Sequence, residues 1–248
     1  MEDYVVAAIE KRLVEICFLD HLIIHDAGKH SSMNLKELPL YFTESQRLKN
    51  KYRDKIKVRV GLEVDFDPQN IDIIESLLEQ YSFDAIGSSV HFIDGTNIAS
   101  RREAAKTCKK NDHYLIEKYF QTLYEMLDYS YFDFICHFDV IKKTGRRIPN
   151  KFIPLIDDII SKVAEKSIAI EINTGGWQHP ANECYPSPDI IQKCIDANIS
   201  LLLSSDAHKP EDVGNNFEKA IGILYSFGCR RISSFNERKI EFNNIPTL

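Results

Sequence analysis

The decapeptide from Ile199 to His208, ISLLLSSDAH, says most about the fold of this chain. A short apolar run ends in a carboxylate and an imidazole, Asp206 and His208, two positions apart. Apolar runs of this length without polar alternation are typical of strands buried on both faces of a parallel sheet. Residues two apart in an extended strand point to the same side, so we expect Asp206 and His208 to face one site.

The same kind of run recurs along the chain. The other five are VEICFL (14–19), IKVRVGLEV (56–64), FDAIGSSV (83–90), FDFICHF (132–138) and SIAIEIN (167–173). Apolar residues at three- and four-residue spacing predict helices between the runs, at 113–128, 155–163, 190–195 and 217–225. Ser187-Pro188 should cap the third of these helices. The alternation predicts βαβ units, and the lack of a Gly-rich phosphate loop favours a closed or partly closed βα barrel.

Composition excludes several classes of protein. The 248 residues are 44% hydrophobic and 27% charged, with a net charge of −6, which argues against nucleic acid as a partner. No apolar run reaches the roughly 18 residues of a membrane span, and the amphipathic amino terminus is unlike a signal peptide. Six scattered cysteines without a C-x-x-C pair indicate reduced thiols and a cytoplasmic location. We expect one domain over residues 1–248.

Chemistry-bearing residues cluster where the predicted strands end. In a parallel βα barrel all strands deliver their carboxyl ends to one face, so distant residues converge there. The candidate ligands are His21, Glu63, His91, His137, Asp206 and His208. A single His or Asp at such a place is more often a hydrogen-bonded structural residue or a helix cap. Six together are hard to explain in that way, and this ligand set suits Zn, Mn or Fe. Carboxylates that bridge two such ions are typical of phosphate ester hydrolysis.

Phosphate also requires cationic groups. The candidates directly follow the His137 strand and are Lys142, Lys143, Arg146 and Arg147. The alternative is a solvated basic loop, because a phosphate site would use only one or two of the four. His25 lies close enough to His21 in sequence to contact a substrate.

Six motifs carry a resemblance to a known family. They are GLEVDF (61–66), GSSVHFIDG (87–95), CHFDVIKK (136–143), EINTGG (171–176), YPSPDII (185–191) and SSDAHKPEDVG (204–214). In this order, from near Tyr4 to near Ile232, they resemble the histidinol-phosphatase family of the PHP (polymerase and histidinol phosphatase) superfamily. The combination of SVHFIDG, EINT-G and YPSP separates the chain from the PHP domains of DNA polymerases.

The resemblance implies a distorted seven-stranded βα (PHP, TIM-like) barrel with two to three divalent ions at its carboxyl face. By motif, Glu63 would bridge two ions, His91 and His137 would complete the shell of one, and Asp206 would bind another. His21 and His208 would hold a third. Glu63 and Asp206 would be the catalytic carboxylates. The implied reaction is hydrolysis of L-histidinol phosphate to L-histidinol and phosphate, in histidine biosynthesis.

The residues are compatible with other functions. The substrate could be another small phosphate ester, or the chain could be a catalytically impaired PHP-like binding or scaffold protein. The family begins with a strand that carries H-x-H, whereas this sequence matches only from the following helix, so we expect a barrel missing its first strand. Two explanations stay open, a start codon assigned too late and a shortened paralogue. The uncovered strand edges are compatible with a homo-oligomer.

Overall fold

The computed structural model describes residues 1–104 and 112–245, and Cys108 lies outside them. The helices are α1 (Glu2–Glu10), α2 (Leu38–Tyr52), α3 (Ile71–Leu78), α4 (Arg101–Ala104), α5 (Asp112–Met126), α6 (Ile153–Glu165), α7 (Pro188–Asp196) and α8 (Phe217–Ser226). The strands are β1 (Glu15–Leu22), β2 (Lys57–Asp65), β3 (Ala85–Ser89), β4 (Phe92–Ile93), β5 (Thr96–Asn97), β6 (Phe134–Ile135), β7 (Ala169–Asn173), β8 (Leu201–Ser204), β9 (Arg231–Asn236) and β10 (Lys239–Asn244).

Six parallel strands form the main sheet, in the order β1-β2-β3-β6-β7-β8. All six strands predicted from the sequence are confirmed. The most shortened is β6, which keeps only Phe134–Ile135 of the predicted run. Successive strands are neighbours, so each carboxyl end lies beside the next, as the barrel prediction requires.

The sheet is curled, because its inner face packs against itself. Side chains from five of its strands, namely Ala85, Phe134, Cys136, Ala169 and Leu202 with Cys17 and Leu19 beside them, form one apolar cluster. Within the described residues β1 pairs only with β2 and β8 only with β7, and a cavity of about 420 Å³ lies between these two edges. The sheet is therefore an open barrel of six strands with helices around it, in agreement with the expected barrel lacking one strand.

A two-stranded hairpin, β9–β10, lies at the amino-terminal end of this barrel and was not predicted from the sequence. Its Phe235 enters the inner cluster and stacks on Phe134, with ring centroids 5.7 Å apart. Arg238 pairs with Asp133, which directly precedes β6. Asn236 accepts a hydrogen bond from the buried Arg59 of β2. The hairpin thus joins the starts of several strands.

The predicted helices are confirmed within a few residues, and α7 begins at Pro188 with Ser187 as its N-cap residue. The expected side-chain cap is absent. Instead the Ser187 backbone N–H donates to Asp139 Oδ2 at 3.0 Å, because that buried carboxylate reaches the helix start. No helix in the described part of the chain is both long enough and apolar enough to cross a membrane.

A candidate metal centre at the carboxyl ends of the strands

Glu63 is the centre of the site. It lies near the carboxyl end of β2, and only 6% of its surface is exposed. Its Oε1 is 2.9 Å from His137 Nε2 and 3.6 Å from His91 Nε2, and its Oε2 is 3.4 Å from His21 Nδ1. Three imidazoles from three different strands therefore converge on one buried carboxylate.

The strand ends explain this convergence. His21 is the last but one residue of β1, and the register of the sheet pairs it directly with Glu63. His91 follows β3 by two residues and His137 follows β6 by two. His137 has a φ of 28°, in the left-handed region that costs a non-glycine residue roughly 1–2 kcal/mol. The backbone is thus held in an unfavourable conformation where it carries a candidate ligand.

Donor geometry fits a divalent cation. Ligand atoms of His21, Glu63 and His91 all lie within 4.8 Å of one another. Nδ1 of His21 and Nδ1 of His137 are buried and have no hydrogen-bond partner among the described residues. Buried polar atoms are seldom left unsatisfied in native structures. Imidazole nitrogens with a carboxylate are a ligand set for Zn, Mn or Fe, so these residues could hold such an ion.

Asp206 and His208 lie at the same face, but not as an extended strand. β8 ends at Ser204, and Asp206 has a φ of 48°, so the prediction that both residues sit on one strand face was wrong. The left-handed turn at Asp206 interrupts the two-residue alternation. His208 is mostly exposed, and its ring centroid lies 6.2 Å from that of His21. The structure therefore still brings both residues to the rim of the site.

Two further polar residues at the end of β7 were not assigned a role from the sequence. Glu171, 4% exposed, accepts a hydrogen bond from the His137 backbone N–H at 2.6 Å. Asn173 donates through Nδ2 to Asp206 Oδ2 at 3.1 Å and lies 3.3 Å from Glu171 Oε2. They link the His137 strand end to Asp206. Their spacing in the sequence could have indicated a role in the site, because Glu171 and Asn173 are two residues apart at the carboxyl end of β7 and so lie on one face of the strand.

Charges in the site shift several pKa values. Burial acts to raise the pKa of Glu63, but the charges of His21 and His137 outweigh it and hold that pKa well below its usual value. Burial acts to lower the pKa of His137, but the charge and hydrogen bond of Glu63 raise it to about 9. Burial raises the pKa of Glu171 to about 7, helped by the charges of Asp206 and Glu63. The metal-free site therefore retains protons at neutral pH, which a cation would displace.

The four candidate phosphate cations have different surroundings. Lys142 is buried, with Nζ 2.7 Å from Asp139 Oδ2 and 2.8 Å from Glu183 Oε1. The guanidinium of Arg146 donates to Asp112 Oδ1 at 2.9 Å. Arg147 is exposed. Lys143 alone of the four lines the smaller cleft that also contains His21 and His91.

His25 and Asp65 form a contact beside this centre. His25 Nε2 is 2.9 Å from Asp65 Oδ2, and Asp65 Oδ1 is 3.0 Å from His91 Nδ1. Asp65 is 2% exposed and ends β2, two residues after Glu63. No role was assigned to Asp65 from the sequence, although its two-residue spacing from Glu63 predicts that both lie on the same side of the strand.

Comparison with known proteins identifies the family. The PHP domain family matches residues 1–175. A Deinococcus radiodurans protein named "Probable histidinol-phosphatase" is 30% identical over 242 residues, which cover 96% of this chain and 91% of that protein.

Two solved structures share the fold. One is histidinol phosphate phosphatase from Lactococcus lactis, complexed with zinc, L-histidinol and phosphate; its TM-score is 0.80 at 23% identity, covering 97% of this chain and 92% of that one. The other is a putative histidinol phosphatase from Listeria monocytogenes, with a TM-score of 0.81 at 20% identity, covering 88% and 92%. The match of the family over residues 1–175 and the 30% identity to the Deinococcus radiodurans protein show that the chain belongs to the PHP domain family, in its histidinol-phosphatase branch.

Proposed function

We propose that this protein is a metal-dependent phosphomonoester hydrolase that converts L-histidinol phosphate and water to L-histidinol and phosphate, a step of histidine biosynthesis. The observation that carries the proposal is the buried Glu63 carboxylate with three imidazole nitrogens 2.9–3.6 Å from its oxygens. The names of the relatives support the choice of substrate.

The proposal assigns the candidate ligands as follows. Glu63, His91, His137 and His21 would hold the ions, since the three imidazoles converge on the two oxygens of this carboxylate. Asp206, held through Oδ2 by Asn173, would be the second catalytic carboxylate, and His208 would join it from the rim. When bound, divalent ions supply Lewis-acid activation of water and of the phosphoryl group.

The remaining steps belong to the chain's own residues. Glu63 and Asp206 orient the attacking water, whose oxygen forms a bond to phosphorus while the ester P–O bond breaks. The attacking water gives up a proton, and the leaving alkoxide takes one up, so that it departs as L-histidinol and the protons balance. Lys143, which lines the cleft beside His21 and His91, is the best-placed of the four cations to bind phosphoryl oxygens. Lys142 and Arg146 are engaged in ion pairs, and Arg147 is exposed. His25 contacts Asp65, which in turn contacts His91, so a contact of His25 with the substrate stays a prediction.

The test is phosphate release from L-histidinol phosphate by the 248-residue protein, stripped with a chelator and reloaded with zinc or manganese. Turnover should require the added metal. Glu63→Gln should lower kcat/KM by roughly a thousandfold or more, because a bridging carboxylate and its charge are lost. Glu44→Gln, the same change on the exposed face of α2, should leave it within twofold.

Two outcomes would overturn the proposal. In one, no metal supports release above the Glu63→Gln background, which favours a PHP-like binding protein. In the other, a panel of small phosphate esters is hydrolysed while histidinol phosphate is not, which keeps the chemistry and changes the substrate.

A further inference from the structure

We propose that Asp65 is a positioning residue that fixes the ring of His91 with Nε2 directed at Glu63, and that His25 holds Asp65 for this purpose. The inference builds on the proposed metal centre and adds two residues to it. Neither residue needs to touch the substrate for this role.

Asp65 binds His91 at two points. Its Oδ1 accepts the His91 backbone N–H at 2.8 Å and lies 3.0 Å from Nδ1 of the same ring. Contacts to both the main chain and the ring leave the imidazole little freedom to rotate. On the opposite side of that ring, Nε2 lies 3.6 Å from Glu63 Oε1.

The chemical consequence concerns the tautomer of His91. A neutral imidazole carries one proton, and a carboxylate next to Nδ1 keeps that proton on Nδ1, so the lone pair is left on Nε2. A histidine ligand whose other nitrogen donates to a carboxylate is both oriented and made a better donor to a metal. Ser89 Oγ also approaches Nδ1, at 3.2 Å, but a carboxylate is the stronger acceptor.

His25 completes the arrangement from the other side. Its Nε2 lies 2.9 Å from Asp65 Oδ2, so each oxygen of the buried carboxylate has an imidazole partner. The His25 ring packs edge-on against Phe92, with centroids 4.6 Å apart. Gly28 also packs against the His25 ring, so closely that a Cβ at position 28 would lie 2.9 Å from Cε1 of the ring. This contact further limits movement of the His25 ring. The carboxylate is therefore clamped rather than free to turn away from His91.

The chain offers a matched control in Asp67. It follows Asp65 by two residues and is also buried, at 7% exposure. Its carboxylate accepts hydrogen bonds from the Gln69 backbone N–H at 3.1 Å and from Asn70 Nδ2. Replacing either Asp removes one buried negative charge from the same segment. Of the hydrogen bonds described for the two carboxylates, only those of Asp65 go to histidine rings.

The experiment reads the tautomer and the metal affinity separately. In metal-free protein labelled with ¹⁵N-histidine, long-range ¹H–¹⁵N spectra should show His91 protonated on Nδ1; His91→Gln assigns the signal. Asp65→Ala should move the proton toward Nε2, and Asp67→Ala should not. Zinc affinity, measured by chelator competition, should fall tenfold to a hundredfold in Asp65→Ala and by less in His25→Ala. Asp65→Asn, which keeps the side-chain size but removes the negative charge, covers the case in which the alanine variant does not fold, and its zinc affinity should fall by more than twofold.

The inference is overturned if His91 keeps its Nδ1 proton in Asp65→Ala, or if zinc affinity stays within twofold of the parent protein. A loss of stability toward urea without either change would mean that Asp65 has only a structural role. The tautomer is read without metal and without any ester, so this result is separable from a failure of the phosphatase assay.

Discussion

Raising the pH should destabilise the metal-free protein, and His137 supplies most of the effect. Its folded-state pKa of about 9 lies above the ordinary value of 6.5, because Glu63 outweighs the effect of burial. A raised histidine pKa stabilises the folded state below pH 6.5, and this stabilisation is lost as the pH rises toward 9. One pKa unit corresponds to about 1.4 kcal/mol, so the loss across this window is about 3 kcal/mol. His25, whose pKa is raised by its hydrogen bond to Asp65, adds a change of the same sign. Glu171, whose pKa is raised to about 7, adds another as the pH rises toward 7.

The assay is urea unfolding of chelator-treated protein at several values between pH 6 and pH 9. The free energy of unfolding should fall over this range, and the share that His137 contributes should be about 3 kcal/mol. His137→Gln should remove most of the slope, while His30→Gln, on an exposed loop, should keep it. Measurements stop at pH 9 because burial raises the pKa of thiols such as Cys184 to about 12, and these add their own slope above that point.

A flat free energy between pH 6.5 and pH 9 would refute the reasoning, since it would mean that Glu63 and His137 do not share a proton in the metal-free site. A slope that persists unchanged in His137→Gln would refute it as well. In that case another group, and not the Glu63 contact, would be the origin of the pH dependence.

Three other predictions follow from particular contacts. Gly61→Ala should lower the free energy of unfolding by about 1–3 kcal/mol in urea, because the new Cβ would lie 2.4 Å from the backbone oxygen of Ala85. Gly222→Ala, where no atom lies near the new Cβ on α8, should instead raise it by about 0.5–1 kcal/mol. Lys143→Met should raise KM for the ester tenfold to a hundredfold with little change in stability; Lys142→Met should instead cost about 3–5 kcal/mol of stability, because it leaves a fully buried carboxylate unpaired. Phe235→Ala should cost about 3–5 kcal/mol in a thermal or urea melt, and a cost below 1 kcal/mol would show that the hairpin does not support the barrel.

The main sheet could be predicted because each buried parallel strand is a nearly continuous apolar run. α2 was missed for a different reason: its buried stripe contains Tyr41, Ser45 and Tyr52 beside its leucines, so the helical spacing is present but is not marked by apolar residues alone. The β9–β10 hairpin was missed because its turn residues, Glu237 and Arg238, both have positive φ without a Gly or Asn to signal it.

The sequence predicts which strand ends form the site, but it does not predict how the individual side chains are oriented there. Parallel topology alone brings His21, Glu63, His91 and His137 together, since each follows or ends a predicted strand. Local turns decide the rest. Lys142 and Lys143 are adjacent in sequence, yet the 3₁₀ turn at Val140–Lys142 buries the first against Asp139 and directs the second to the cleft. Nothing in the residue types distinguishes the two.

The hairpin at the amino-terminal end of the barrel has a consequence for the order of events during synthesis. Its contacts join residues far apart in sequence, 105 positions for Arg238 with Asp133 and 177 positions for Asn236 with Arg59. At roughly 5–20 residues per second, Asn236 leaves the ribosome about ten to thirty-five seconds after Arg59. The amino-terminal ends of the strands therefore lack their contacts with the hairpin while the barrel is translated. During this time the apolar surface that Phe235 covers is exposed to solvent. This end of the barrel thus closes only after all six strands of the main sheet have been synthesised, and this apolar surface stays open until then.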